Sequence, residues 1–476
     1  MRSINKQRSG KIMSYSNKKK GIFAVSALTL IAAAAAAPAY AQDSGATSVQ
    51  DLDQRIRILE RQLEIQKEDS EAKAKEAAVV TAGDKGFSIK SAKGDYELQF
   101  RGLFQADARF FNGDNLGGNP GRLNDQFLLR RVEPTISGSL GKLVGFQITP
   151  QFGGDAPALL DFWGELRFDP AANVRVGRFK QPVGLENLQS SPALTFIERA
   201  LPTSLVPSRD NGIQLHGQLF SQTLSYAIGV FNGGADAGDA ATPDTDNRHD
   251  IAARVFAEPF KNSPGILQNL GVGIAATTGN AYGAANTVAI KSNYKSVAQN
   301  SFFAYRGTTN ANGKHTHLAP QAYWYNNNYG ILAEYVISRQ ELKNGLNERS
   351  VSHKAYQVAA NYVLTGEDAS FKGVKPKSPF KIGGDGWGAF EIAARTSALT
   401  LDSDTFIAGG GTSFADPTLA ARKATEYGVA ANWYLTTNAK IALNYEATRF
   451  DGGATALQGT DRQNERAIIA RVQLAY

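Results

Sequence analysis

The chain has 476 residues, with 51 Lys and Arg against 44 Asp and Glu, a formal charge of +7, and no cysteine. The missing cysteine excludes a disulfide framework, thiolate catalysis and cysteine metal sites. The positive excess sits at the start: residues 1–41 hold seven basic residues (Arg2, Lys6, Arg8, Lys11, Lys18, Lys19, Lys20) and no acid, so the rest carries 44 of each sign and the charge gives no indication of nucleic-acid binding.

Residues 1–41 read as a secretory signal peptide. Lys18-Lys19-Lys20 closes a basic region, an apolar run extends from Gly21 to Ala37, and Ala39-Tyr40-Ala41 fits a small-x-small cleavage site. The run is rich in alanine and polar residues follow at once, which argues against a membrane anchor. Met13 as the start would keep the Lys18–Lys20 flank. Residues 42–85 carry Val49, Leu52, Ile56, Leu59 and Leu63 at alternating spacings of three and four, a heptad seam with Arg and Glu between. This predicts a short coiled-coil helix, a periplasmic trimerising stalk; the alternative is an exposed amphipathic linker.

From residue 86 to 476 the period changes to two. Tyr96, Leu98, Phe100, Gly102, Phe104, Ala106, Ala108 and Phe110 share one parity; Glu97, Gln99, Arg101, Gln105, Asp107 and Arg109 share the other, broken only by Leu103 and Phe111. A strand changes faces at every residue, so this is a long strand with one apolar and one wet face. Such a strand fits a membrane wall whose inner side lines water. With this strand there are fifteen such runs, and Arg175–Lys180 makes a sixteenth. The fold class expected is an all-β transmembrane β-barrel of about 16 antiparallel strands in the bacterial outer membrane, preceded by the coiled-coil helix. A mean hydropathy of −0.29 agrees with this, because each strand hides only alternate residues in lipid. Polar stretches at 233–250, 281–300, 306–314 and 366–386 are expected to be external loops. The last strand ends on Tyr476 and resembles the C-terminal recognition signal of outer-membrane barrels.

Across 127–260 the chain resembles the phosphate-selective porin O and P family. The residues that carry this are FLLRRVEPTISGSLGK (127–142), LLDFWGELRF (159–168), VRVGRFKQPVGLENLQSS (174–191), FIERALP (196–202) and SRDNGIQLHG (208–217). The resemblance implies a homotrimer of sixteen-stranded barrels. It also implies a segment after Gly184 that folds inward as a constriction, with arginines guiding anions along the wall. By position, Arg130 and Arg131 look like the family's paired arginines, Asp161 like an acid near the constriction, and Arg199 like part of the turn in the infolded loop. Phosphate-binding members tend to carry a lysine directly after Gly-Leu-Glu. Here that place holds Asn187, and the nearest lysine is Lys180, seven residues upstream.

An anion pore needs cations at the lumen face, spaced so that an ion always has a next site. The inward parity supplies Arg101, Arg109, Arg131, Arg167, Arg254, Arg395 and Arg471, mixed with Glu97, Asp107, Glu133, Asp161, Glu165, Glu258, Glu391 and Glu446. Simple alternation puts Arg130 on the lipid parity, so it lies at the rim or the register shifts. The anion pathway is expected to use Arg101, Arg109, Arg130, Arg131, Arg167, Arg175, Arg178, Lys180 and Arg199, with Asp161 and Asn187 at the constriction. His315-x-His317 puts two rings on one strand face, either as metal ligands or as a solvated strand end. Asp236, Asp239, Asp244, Asp246 and Asp250 lack EF-hand order. No G-x-S-x-G is present, and no serine is paired with His and Asp in a recognisable arrangement. The expected function is a passive porin for small hydrophilic anions, phosphate included, with no catalytic site and no required cofactor. Its partners would be its own copies, small anions and outer-membrane lipid. The alternative is a structural barrel that links envelope layers through its stalk.

Overall fold

The computed structural model describes residues 49–111, 124–154, 156–239, 247–284, 289–291, 293–453 and 461–476, with backbone only at 70–76. The expected leader therefore lies outside the described residues, as does the start of the stalk segment. A helix, α1, spans Val49–Glu76. Its seam residues Val49, Leu52, Ile56, Leu59 and Leu63 are all exposed in the single chain.

A hairpin follows, β1 (Val79–Gly83) and β2 (Gly86–Lys90), and then β3 (Glu97–Phe111), β4 (Gln126–Leu140), β5 (Val144–Gln151), β6 (Ala158–Asp169), β7 (Ala172–Lys180), β8 (Arg209–Leu219), β9 (Leu224–Phe231), β10 (Asp250–Ala257) and β11 (Leu270–Ala284). Two short strands, β12 (Asn293–Lys295) and β13 (Ser301–Ala304), pair only with each other. The wall continues with β14 (Asn310–Asn326), β15 (Tyr329–Asn344), β16 (Asn347–Val363), β17 (Ala389–Thr400), β18 (Ala421–Tyr434), β19 (Ala439–Gly452) and β20 (Glu465–Ala475). Strands β3–β11 and β14–β20 are antiparallel to their neighbours. The pairing of β20 with β3, from Ala467 opposite Phe111 to Ala475 opposite Leu103, closes a sixteen-stranded barrel. Closure removes the unpaired sheet edge that hydrocarbon could not hydrate. The hairpin joins the sheet through β2, which pairs with the start of β3 below the point where β20 ends. Residues 79–83, expected in the stalk, are thus part of the sheet.

The alternation read from the sequence is the alternation of the wall. Phe100, Phe110, Phe162, Ile213, Ile274 and Val472 are exposed on the outside, whereas Gln105, Asp107, Glu391, Asn444 and Arg471 are buried inside. Among the described residues no helix is long and apolar enough to cross a membrane. The strands cross instead.

One expectation fails. Residues 366–386 connect β16 to β17 at the turn end, where Glu97 begins the barrel and Ala475 ends it. They are therefore not a loop at the opposite, loop end. Part of this segment folds into the barrel mouth. Phe371 stacks on Tyr323 at 5.0 Å, and Val374 packs with Tyr325, Val363 and Tyr434. The strand count read from the sequence was insensitive to which end a polar stretch occupies.

Candidate pore constriction

Between β7 and β8 the chain turns into the lumen. Gly184 begins the turn at φ +79°, where an added Cβ would lie 3.0 Å from Asn187 Cβ and from Val206 Cγ2. A short helix, α2 (Leu185–Leu188), follows. Leu185, Leu194, Phe196, Ile197, Leu201 and Leu205 are all buried. A segment this apolar cannot stand free in a water-filled lumen, so it packs against one side of the wall.

Wall side chains fix it there by donating to its backbone carbonyls. Lys440 Nζ donates to Leu194 O at 2.8 Å, Asn432 Nδ2 to Thr195 O at 2.8 Å, Arg471 to Ile197 O at 2.6 Å, and Arg395 to Glu198 O at 2.9 Å. The Leu185 amide donates to Glu334 at 2.7 Å, and Gln357 Nε2 bridges Glu186 and Glu334 at 3.0 and 2.6 Å. Arg395 also meets Glu426 and Glu446 at 2.9 and 3.3 Å and lies 4.2 Å over the Phe196 ring.

Glu198 is the central anchor. It accepts from Arg109 at 2.7 Å, from Arg130 in a two-pronged contact at 2.6 and 3.1 Å, and from Arg471 at 3.4 Å. Burial opposes its ionisation, but Arg130 and Arg471 outweigh that and hold the carboxyl well below the usual carboxylate range.

The infolded segment leaves two connected chambers against the other side. The larger, about 970 Å³, opens toward the turn end and is lined by Arg101, Arg167, Arg175, Lys180, Arg209 and Arg254, with Glu133, Asp161 and Glu165 as its carboxylates. The smaller, about 390 Å³, lies toward the loop end and is lined by Arg130, Arg131, Lys180, Arg199, Arg209, Lys291 and Lys295, with Glu133, Glu198 and Asp239. Glu133, Lys180, Arg209 and Ser191 line both and so form the throat between them. Together the chambers present eleven cationic side chains against five carboxylates. Those carboxylates are already engaged. Asp161 accepts from Arg209 at 3.1 Å, Glu165 binds Arg175 at 2.6 Å and Arg167 at 3.2 Å, and Glu133 lies 3.5 Å from Arg131.

The expected site residues divide. Arg101, Arg130, Arg131, Arg167, Arg175, Lys180, Arg199 and Asp161 line these chambers. Arg130 does so because the ladder shifts: Gln105 pairs with Arg131 and the next residue, Ala106, with Leu129, leaving Arg130 as a bulge. The bulge turns two consecutive arginines inward. Arg109 is corrected: it is 1% exposed, held by Asp107 at 2.9 Å and by Glu198, and lines neither chamber. Arg178 is corrected too. It sits opposite Phe162, whose ring is exposed on the outer wall, and donates to Leu159 O at 2.9 Å. Asn187 borders the smaller chamber, but its side chain staples the segment, donating to Val183 O and Pro207 O at 3.2 Å each. Lys180 Nζ reaches the Asn187 carbonyl, so the wall delivers an ammonium beside the position where the sequence lacks one.

Sequence reasoning missed Arg209, Lys291 and Lys295. Arg209 follows the infolded segment as Lys180 precedes it, and that symmetry was the available signal. His315 and His317 face inward, each against a carboxylate: Asp250 at 2.6 Å and Asp236 at 2.7 Å. Asp236 also accepts from Tyr294 and Ser338. Asp244 and Asp246 lie outside the described residues.

The family model described as phosphate-selective porin O and P matches residues 98–476. The chain belongs to this family. Among solved structures, this porin resembles the outer membrane channel DcaP of Acinetobacter baumannii, at 11% identity and a TM-score of 0.50, over 83% of this chain and 100% of the other. It also resembles the anion-selective porin of Comamonas acidovorans, at 11% identity and a TM-score of 0.48, over 80% and 100%. At these identities the likeness concerns the fold alone. Comparison with curated proteins returns no match. Family and fold together make the porin an outer-membrane channel rather than an enzyme.

Proposed function

We propose that this porin is a trimeric, passive diffusion channel for small hydrophilic anions, phosphate among them. The observation that carries the sign of selectivity is the excess of cations over carboxylates along the two chambers and their throat. A narrow lumen with low-dielectric walls focuses that field and raises the local anion concentration. A guanidinium fork that no carboxylate occupies, such as that of Arg101, suits oxyanions, which accept paired hydrogen bonds. Export through the leader at 1–41 and trimerisation through a coiled-coil stalk belong to the same proposal. The exposed heptad seam of α1 supports the stalk, since such a stripe is covered when helices associate. No covalent step and no cofactor enter the mechanism: ions move down their gradient from one cation to the next. In planar bilayers under a potassium chloride gradient, the reversal potential should favour chloride. A potential favouring potassium would contradict the proposal.

A further inference from the structure

We propose that the larger chamber is a binding site for aromatic dicarboxylates, which it holds more tightly than inorganic phosphate. This rests on the anion-channel reading and names a substrate class for it.

Two arginines in the chamber have no carboxylate within ion-pair distance among the described residues. Among the described residues, Arg101 has only long contacts, to Ser137 Oγ at 3.3 Å and Gln147 Oε1 at 3.4 Å, and its buried Nε has no hydrogen-bond partner. Arg254 donates twice to Gln321 Oε1, at 3.2 and 3.1 Å, and lies 4.5 Å over the Phe256 ring. A charged fork left without a counter-charge is an anion site awaiting a ligand. These two lie on β3 and β10, the first and eighth strands of sixteen, and so reach into the chamber from nearly opposite walls. Two cations on such distant strands suit a ligand with two separated negative groups better than a single tetrahedral oxyanion.

Between them, on the fourth and fifth strands, stands a flat platform. The Arg175 guanidinium lies 4.1 Å from the centre of the half-buried Trp163 indole. Glu165 fixes that guanidinium through two bonds, at 2.9 and 2.6 Å, and also engages His216 at 2.9 Å. With its charge met by Glu165, Arg175 offers a stacking plane in place of a free ionic site. Hydrated inorganic anions gain nothing from a guanidinium plane backed by an indole; an aromatic ring that stacks on it does. The volume of about 970 Å³ matches cavities that enclose small organic ligands.

The test is block of chloride current in planar bilayers by terephthalate, adipate and inorganic phosphate. Terephthalate should half-block at a concentration at least about tenfold below that of the other two. Trp163→Leu should abolish the advantage over adipate and leave phosphate block unchanged. Arg101→Gln with Arg254→Gln should weaken both dicarboxylates while keeping the aromatic advantage. If Trp163→Leu does not fold, Trp163→Phe, which keeps a ring, should retain terephthalate block ahead of adipate. Phosphate blocking as strongly as terephthalate, or an aromatic advantage that survives Trp163→Leu, would overturn the proposal. Calorimetric titration of the detergent-solubilised protein with the same three anions reads binding without conduction. A cation-favouring reversal potential would therefore sink the channel reading alone, while the heats still decide the chamber.

Discussion

The two sides of the lumen use the same residue types for opposite ends. On the covered side, beneath the infolded segment, lie Arg109, Arg395, Lys440 and Arg471 together with Asp107, Glu334, Glu391, Glu426 and Glu446, and all nine are buried. These cations bind carboxylates or donate to carbonyls of the segment, so little of their charge reaches water. On the open side, around the throat, cations outnumber carboxylates and face the chambers. The covered side holds structure; the open side meets ions. Residues 42–476 carry balanced charge, yet the open chambers present more cations than carboxylates, because one segment decides which charges are covered.

The sharpest way to break this comparison is Glu198→Gln. It leaves Arg109, Arg130 and Arg471 facing each other without their shared counter-charge, and removing one partner from a buried ion cluster costs about 3–5 kcal/mol. Urea unfolding in detergent should show that loss; unchanged stability would mean the segment is held by its apolar face alone. Asn187→Lys should come next. It removes two staples and should destabilise by about 1–3 kcal/mol without tightening phosphate block, because Lys180 already holds that position. Stronger phosphate block would instead make the segment, not the wall, the source of selectivity.

Throat variants probe the open side directly. Lys180→Met or Arg209→Met should each reduce chloride-over-potassium permeability roughly two- to fivefold, as expected for one unit charge in a narrow pore. Permeability ratios in bilayers measure this, and no change would remove that residue from the ion path. A smaller effect concerns pH. The carboxyl of Glu198 is depressed in the folded state, so its contribution is fully present above the unfolded value, near 4.5, and is lost only as pH falls through the depressed value. Unfolding midpoints should therefore hold between about pH 7 and pH 5 and decline in stronger acid. A decline that begins near neutrality would assign the anchor to another group. Smallest of all, Arg178→Gln should leave conductance and selectivity as they are, since Arg178 lies on the lipid side of the ladder.

The fold was legible because the lipid and the lumen each write every second residue. From Tyr96 to Phe111 that pattern gave a strand, and its repetition gave the number of strands. The inward positions of Arg101, Arg131, Arg167 and Arg254 followed from parity. Parity alone could not place Arg130, because a bulge changes faces without a mark in the composition. It could not separate Arg109 from Arg101 either: both face inward, and only the path of the infolded segment buries one and leaves the other at the chamber. Asn187 shows the same limit: it borders the smaller chamber, but its side chain holds the segment in place. Its neighbours in sequence suggested a pore residue, whereas its amide is occupied by Val183 and Pro207. Contacts distant in sequence decide which inward residues are functional.

The central claim is that the infolded segment gives the lumen its sign by covering one wall. The most direct test compares reversal potentials, under one potassium chloride gradient, of the native porin and of a variant in which a short Gly-Ser linker replaces residues 183–206. The native channel should favour chloride, and the variant should conduct more and move toward zero potential as the covered carboxylates become wet and the throat widens. An equal preference for chloride in both would contradict the account.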